Sequence, residues 1–493
     1  MTVAQYCSST MPTTLAIASS SVPSVCHDTS TANLLAARAE FVALIGSERT
    51  TEDPEICTSH SGSKFSVAAP SHKASIVLYP ETTEEVSSIL KICWTRSIPV
   101  TPYSGGTGLA GSLAATRGGV CVDLSNMTKI WNLHESDMDV TVQPGVGWMD
   151  LNAKLEGKGL FFPPDPAPAA RIGGMIAMGC SGTNAYRYGT MKDWVISLTV
   201  VLADGTIVKT RNRPRKSSAG YDLTHLIVGS EGTLGIVTEA VLKLTPRPQN
   251  SHVAILPFSD TYLAIETAIT IMSSGEVFDA VEFVDHHSLG AVNGSGLFPE
   301  KWEEVPTLFL KFSGARQATE AHTELIKEWA KKNGCHNIRI TSDLKQGQAW
   351  WDVRKLMGKA LVTVMKPGDI FFGSDAAVPR SRLADIIVES QKATENVGLF
   401  CSTLGHIGDG NVHVVFFCPG EKRALGEKLI EDIQRMALRM EGTITGEHGI
   451  GLSLRDMLIE EVGHAGVDMM RKVKLALDPK CILNCDKVIR MEA

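Results

Sequence analysis

The sequence predicts an α+β protein in two main parts: a glycine-rich, strand-dominated first half, then a half in which strands alternate with helices. Three observations predict this. Glycine accounts for 44 of 493 residues, roughly 9% against an average near 7%, and concentrates in three clusters between residues 102 and 237. Up to about Pro248, short apolar runs bounded by Gly, Pro or Asp dominate, the pattern of strands and tight turns. Beyond Arg247, Pro248 and Gln249, apolar runs of strand length alternate with amphipathic stretches of helix length, the pattern of a sheet with helices packed on it.

The elements follow in order. The first 35 residues are rich in Ser and Thr and lack Lys and Arg; the first basic residue is Arg38. A secretory signal needs a basic start and a longer apolar run than residues 15–18 supply, and a mitochondrial presequence is Arg-rich. A disordered extension is therefore expected here. Residues 76–79 end at Pro80 and read as a strand. Thr82 or Thr83 then caps a helix to about Thr95. Further strands are expected at 119–123, 139–142, 197–202, 206–208 and 235–244, with Asp204 and Gly205 as a hairpin turn. In the second half, strands at 253–257, 280–284, 307–312, 400–406 and 411–417 alternate with helices at 261–273, 317–332, 383–396 and 422–441. These helices are expected on one face of the sheet.

Composition bounds the function. With 43% hydrophobic and 20% charged residues, a large core is possible and wholesale disorder is excluded. A net charge of −7 argues against a nucleic-acid binder, whose footprint is basic. No run of 18 strongly apolar residues marks a transmembrane helix. The eleven cysteines contain no CxxC pair and read as free thiols in a reducing compartment, not as a disulfide framework or a zinc ribbon.

The first glycine cluster, PYSGGTGLAGS (102–112), can offer consecutive backbone N–H groups to an anion. It is not a Walker loop, because the Gly-Lys-Ser/Thr ending is missing, and it fits a Rossmann fingerprint poorly. Alone, it reads equally well as a structural turn. A second cluster contains PPDP (163–166), GGMIA (173–177), SGTN (181–184) and RYG (187–189), and a third is VGSEGTLGIV (228–237). Three such clusters are hard to explain as turns and point to one extended ligand along a backbone cradle.

The distal half carries a different chemistry. The run GHIGDGNVH (405–413) is followed by GEHGIG (446–451). The Gly-Asp-Gly between His406 and His413 forbids a good helix, so a turn entering a strand is needed for the imidazoles to converge. With Glu447 they make two histidines and a carboxylate with an open position, a divalent-ion donor set suited to Zn, Mn or Fe. His448 is the candidate general base. Taken singly, each histidine reads better as structural, and His225, His252, His286, His287 and His464 keep that reading. Arg354 has the forked geometry that suits a carboxylate.

On SGTNAYRYGT (181–190) and IVGSEGTLGIV (227–237) above all, residues 70 to 490 resemble the vanillyl-alcohol oxidase/p-cresol methylhydroxylase superfamily of FAD-linked oxidoreductases. Within it they look most like the D-lactate dehydrogenase (cytochrome)/D-2-hydroxyacid dehydrogenase branch. The resemblance implies a two-part FAD-binding domain of the p-cresol-methylhydroxylase type and an α+β substrate (cap) domain with an antiparallel sheet. The division expected is 1–70 (an extension, then a leading helix), 71–248 (FAD), 249–455 (cap with metal site) and 456–493 (a return to the FAD domain). By position, Ser104, Gly105, Gly106 and Thr107, continued by Gly108, hold the FAD pyrophosphate. Gly173, Gly174, Ser181 and Thr183 line the cofactor further along, Ile236 and Val237 approach its adenine side, and Asn484 reaches the flavin. Pro164, Asp165, Gly182, Tyr188, Gly189, Glu231 and Gly232 complete the cofactor set. No His lies between Thr101 and Gly119, so FAD is expected to be non-covalent.

The same resemblance makes His406, His413 and Glu447 ligands of one divalent metal, Zn or Mn, and His448 the base. Trp351 and Arg354 match its aromatic-x-x-Arg motif, whose Arg holds the substrate carboxylate, and residues 374–379 frame the site. The implied reaction is oxidation of a D-2-hydroxy acid, D-lactate to pyruvate first among them. 2-Hydroxyglutarate, glycolate or a branched hydroxy acid are the alternatives, with Lys359 and Lys366 as candidate contacts for a second carboxylate. The acceptor is cytochrome c, a quinone, another flavoprotein or oxygen, the compartment is mitochondrial or cytoplasmic, and oligomeric state is open. Departures are Arg171 before Ile-Gly-Gly, Ser112 after Gly111, and Cys485 and Asp486 in the pattern Asn-Pro-Gly-Lys. Two other classes account for less of the sequence: a metal hydrolase leaves the glycine clusters without a use, and a non-catalytic flavin binder leaves His448 and Arg354 without one.

Overall fold

The computed structural model describes residues 26–63, 66, 68 and 72–491. The disorder expected of the extension falls on residues 1–25, outside the described residues. Thr31–Ile45, partly within the Ser/Thr-rich stretch, forms a helix whose N-cap Ser30 accepts a hydrogen bond from Asn33 N–H. Its buried Ala37, Phe41 and Ile45 join the core of the first sheet.

That sheet is built from β1 (Thr50–Thr51), β2 (Ile76–Leu78), β3 (Val100–Tyr103) and β4 (Val120–Asp123), in the order β1-β2-β4-β3, with β2 and β3 parallel to β4. The helix Thr83–Arg96 covers it through Val86, Ile89, Leu90 and Cys93, one stripe at helical spacing. Thr82 caps this helix, accepting from Glu85 N–H at 3.1 Å. Next come β5 (Ile130–His134), β6 (Asp139–Val142), β7 (Leu160–Phe161), β8 (Val195–Val201), β9 (Ile207–Lys209), β10 (Ile236–Lys243) and β11 (Thr245–Pro246). All but β7 and β11, which pair with each other, form an antiparallel sheet in the order β5-β6-β10-β8-β9. Asp204 and Gly205 make the β8–β9 turn, where Asp204 Oδ1 accepts from Thr206 N–H and Gly205 takes φ +84°.

The third sheet comprises β12 (His252–Pro257), β13 (Ala280–Val284), β14 (Thr307–Phe312), β15 (Arg339–Thr341), β16 (Asp369–Gly373), β17 (Ala376–Ala377), β18 (Cys401–Gly405) and β19 (Asn411–Pro419). It is antiparallel throughout, in the order β15-β12-β14-β13-β18-β19-β16, with β17 also on β19. The expectation of helices on one face is corrected here. Helices Thr261–Ser273, Arg316–Lys332, Leu383–Glu395 and Arg423–Arg439 cover one face. Helices His286–Ser295, Leu344–Lys355 and Met357–Val362 cover the other. The reason is visible in the strands: every residue of β13 is buried, so both its faces need cover.

The chain then returns to its beginning. Val100 N–H donates to Ile482 O and Asn484 N–H to Val100 O, both at 2.8 Å, so residues 482–484 lie along the edge of β3. Lys474, buried, donates to Thr233 O, Leu483 O and Asp478, fixing the helix Leu458–Leu477 to the third glycine cluster. All ten described cysteines are free of disulfides. No helix among the described residues is long and apolar enough to cross a membrane.

Candidate active site

A cavity of about 550 Å³ is lined from both halves of the chain. Its wall brings together Ser104, Gly105, Gly106, Thr107 and Gly108 from the first cluster, and Asp165, Gly173, Gly174, Gly182 and Thr183 from the second. Glu231, Gly232, Ile236 and Val237 from the third cluster and Asn484 complete it. The backbone runs close here: a Cβ on Gly105 would lie 2.9 Å from Ala169 O, and one on Gly232, at φ +71°, 2.5 Å from Pro102 Cγ. Gly173 and Gly174 sit in the first turn of a helix, Ile172–Met178, whose N-terminus opens toward the first cluster. Asn484 donates to Ser112 O and Glu231 O, leaving its Oδ1 buried without a partner in the cavity wall. A narrow backbone-lined cradle with an unanswered acceptor fits an extended dinucleotide.

Four residues named from the motifs stand outside this wall. Tyr188 packs its ring edge-on against Phe161 and Trp194 in the core of the second sheet. Ser181 Oγ accepts from the N–H of Gly182. Gly189, at φ +79°, turns the chain into Met191–Trp194, and Pro164 is a buried packing position. Asp165 lines the wall, but its carboxylate is engaged by Thr183 Oγ1, Asn184 N–H and Lys355 Nζ. Arg171 also lines the cavity, with Nη1 donating to Gly145 O.

The distal constellation closes the same cavity. Arg354, His406, Glu447 and His448 are in its lining, with His413 buried directly behind. A single 3₁₀ turn, Ile407–Asp409, separates β18 from β19 and swings the imidazoles together. His406 Nε2 and His413 Nε2 lie 3.3 and 3.4 Å from the same Glu447 Oε1. Both nitrogens thus face one carboxylate oxygen, but the side chains whose ligand atoms all lie within 4.8 Å of one another are Asp375, His413, Glu447 and His448, a donor set that fits a divalent cation and contains two of the three expected ligands, with His406 beside it. Burial alone would lower the His406 imidazole, but Glu282 and Glu447 overturn it and push it up to about 10. Burial likewise works to raise the Glu447 carboxyl, and His406 and His413 hold it well below the carboxylate range. His448 stacks on His413 with centroids 5.1 Å apart.

Two carboxylates to which the motifs gave no ligand or catalytic role organise this group. Glu282 of β13, buried, receives His406 Nδ1 at 2.8 Å and stands 2.7 Å from Arg354 Nη2. A carboxylate only accepts, so Nδ1–H donates to Glu282 and, with the imidazole held in its protonated form, Nε2–H faces Glu447; a bound cation would take the place of the Nε2 proton while Glu282 keeps the one on Nδ1. Asp375 was expected only to frame the site. Its Oδ2 accepts the N–H groups of Glu447 and His448, each at 2.7 Å, and Thr445 Oγ1, while Oδ1 accepts Asn411 Nδ2. Arg354 is buried on the helix Leu344–Lys355, and its Nε and Nη2 have no aligned acceptor. Lys359 and Lys366 are exposed and off the cavity. The additional lysine in the lining is Lys355, paired with Asp165 at 2.9 Å.

Comparison with known proteins accords with this geometry. Residues 74–211 match a family described as an FAD binding domain, and residues 247–488 match the C-terminal domain of FAD linked oxidases. The chain belongs to the FAD-linked oxidase family. A mitochondrial D-lactate dehydrogenase (cytochrome) of Kluyveromyces lactis is 44% identical over 88% of this chain and 77% of its own length. Its counterpart in Arabidopsis thaliana is 42% identical over 85% and 74%. A glycolate oxidase subunit of Bacillus subtilis is 34% identical over 85% and 89%. Among solved structures, p-cresol methylhydroxylase with substrate bound superposes with a TM-score of 0.79 at 16% identity, covering 93% of this chain and 97% of that one. This FAD-linked oxidase is thus a D-lactate dehydrogenase-like, FAD-dependent enzyme with the p-cresol-methylhydroxylase-type fold, in which the glycine cradle and the histidine–carboxylate group face one cavity.

Proposed function

We propose that this FAD-linked oxidase oxidises a small D-2-hydroxy acid, D-lactate to pyruvate in the first place, with FAD bound non-covalently and one divalent metal, Zn or Mn, held by His406, His413 and Glu447. Supplied by these groups when bound are a hydride acceptor and a Lewis acid that lowers the pKa of a hydroxyl. The observation that carries the reading is that Arg354, His406, Glu447 and His448 share one cavity with all three glycine clusters. Arg354 binds the substrate carboxylate from the cavity lining, its Nε without a hydrogen-bond partner and its Nη2 shared with Glu282. His448 takes the hydroxyl proton. Glu282 keeps His406 in the tautomer that points Nε2 at the metal position. The hydrolase alternative leaves the cradle idle, and a non-catalytic flavin binder leaves Arg354 and His448 without a task.

A small monocarboxylate is favoured over a diacid such as 2-hydroxyglutarate. A second carboxylate needs a further cation: Lys355 already neutralises Asp165, and Arg171, in the lining, is turned to Gly145 O. The relatives' names support a cytochrome acceptor, with a quinone as alternative, and a mitochondrial location. The cofactor domain is assigned to residues 71–248 with 456–493, and the cap to 249–455.

Anaerobic addition of D-lactate to the purified yellow protein is expected to bleach absorbance near ~450 nm, with L-lactate inert. A flavin that neither D-lactate nor another D-2-hydroxy acid bleaches would overturn the reading. Arg354→Met is expected to raise KM for D-lactate about 10- to 100-fold, the equivalent of losing a charge-assisted hydrogen-bond pair. An unchanged KM in steady-state assays would remove Arg354 from the carboxylate site.

A further inference from the structure

The loop that carries the candidate base is held at both ends by buried carboxylates, one from each half of the chain. On the cap side, Asp375 Oδ2 accepts from Glu447 and His448 N–H, and Asp375 O accepts from Gly446 N–H at 2.7 Å. On the cofactor side, Glu231 Oε1 accepts from Ile450 N–H at 2.7 Å and Oε2 from Gly451 N–H at 3.0 Å. Leu452 and Ser453 N–H then donate to Ala110 O of the first glycine cluster. The loop cannot sit further away without breaking these bonds, nor closer: a Cβ on Gly451 would lie 2.1 Å from Ala110 O.

Glu231 is itself fixed. It is 4% exposed and adopts φ +52°, a conformation L residues with side chains rarely take. Its N–H donates to Ala177 O, and its carbonyl accepts from Asn484 Nδ2. Although it belongs to the third glycine cluster and lines the cavity, both its carboxylate oxygens are taken by backbone donors of the base-bearing loop.

We propose that Glu231 is a positioning residue, setting the distance of His448 from the flavin by gripping the far end of its loop from the cofactor half while Asp375 grips the near end from the cap half. The inference rests on His448 acting as the base. It gives the cavity a ruler with two fixed points, so that cap and cradle are held in register where the substrate gives up its proton and its hydride. A shift of about 1 Å in such a site can cost 10²-fold in rate.

Glu231→Gln tests this in the FAD-loaded enzyme. Gln keeps the volume but presents an NH₂ to one of two N–H donors, so one bond is replaced by donor–donor repulsion. FAD content per chain is expected to stay within twofold of wild type. The rate of flavin reduction by D-lactate should fall about 10- to 100-fold with little change in KM, and deuterium uptake of a peptide spanning 446–453 should rise. Glu231→Asp keeps the charge but withdraws it by one methylene, and should show the same loop exchange. Loss of FAD with an unchanged reduction rate per bound flavin would overturn the proposal, making Glu231 a cofactor contact. Unchanged exchange over 446–453 in both variants would overturn it too. If wild type is bleached by no hydroxy acid, the functional reading fails, while the exchange measurement still decides whether Glu231 holds the loop.

Discussion

His448→Ala is expected to slow flavin reduction by D-lactate about 10²- to 10⁴-fold, the usual worth of a positioned general base, while leaving FAD content and folding intact. The structure supports that separation. The loop around His448 is held by backbone groups, its own N–H to Asp375 among them, which alanine keeps. The imidazole stacks on His413, and its nearest carboxylate oxygen is Asp375 Oδ2, 3.9 Å from Nδ1. It is partly exposed in the cavity lining, so removing it leaves space for water in place of a buried hole. Rapid mixing without oxygen, followed at the flavin band, gives the rate directly. A rate within twofold of wild type would take His448 out of the chemistry.

His406→Ala is expected to have the other large effect: metal content by elemental analysis should drop from about one per chain to a small fraction, and activity should fall at least 10²-fold. A stability loss of about 3 kcal/mol should accompany it, because breaking a buried charge group leaves its partners uncompensated. Those partners are specific. Glu282 keeps only Arg354, and Glu447 keeps only His413 as a close ring partner. Full metal occupancy in the variant would show that the ligand set has been wrongly chosen.

What the sequence disclosed and what it concealed follow from how far apart the interacting residues lie. The strand at Asp139–Val142, the Thr82 cap and the Asp204–Gly205 turn are local, and the structure has them where the pattern placed them. The convergence of His406 with His413 was also legible, because Gly-Asp-Gly among the six residues between them breaks a helix and favours a turn. The helix Ile172–Met178 was not: its Gly173 and Gly174 argue against a helix, and it forms because Ile172, Met175 and Ile176 bury one face. Glu282 was invisible for a different reason. It reaches His406 because β13 pairs with β18 in the register Phe283 to Gly405, and no pattern near residue 282 announces that pairing. Asp375 and Lys355 are concealed in the same way, by partners at Glu447 and Asp165. Tyr188 belongs to a motif that carries the resemblance, and its ring contacts, to Phe161 and Trp194, come from distant and neighbouring segments alike.

The return of residues 482–484 to the edge of β3 sets an order on biosynthesis. Asn484 bonds to Ser112, 372 positions upstream, so the segment first to leave the ribosome is the last to be finished. Until that late stretch emerges, the parallel strands keep a bare edge, and the neighbouring cavity wall lacks Asn484. A chain that stops short of residue 482 therefore lacks both the segment that lines β3 and the side chain that ties the first glycine cluster to the third.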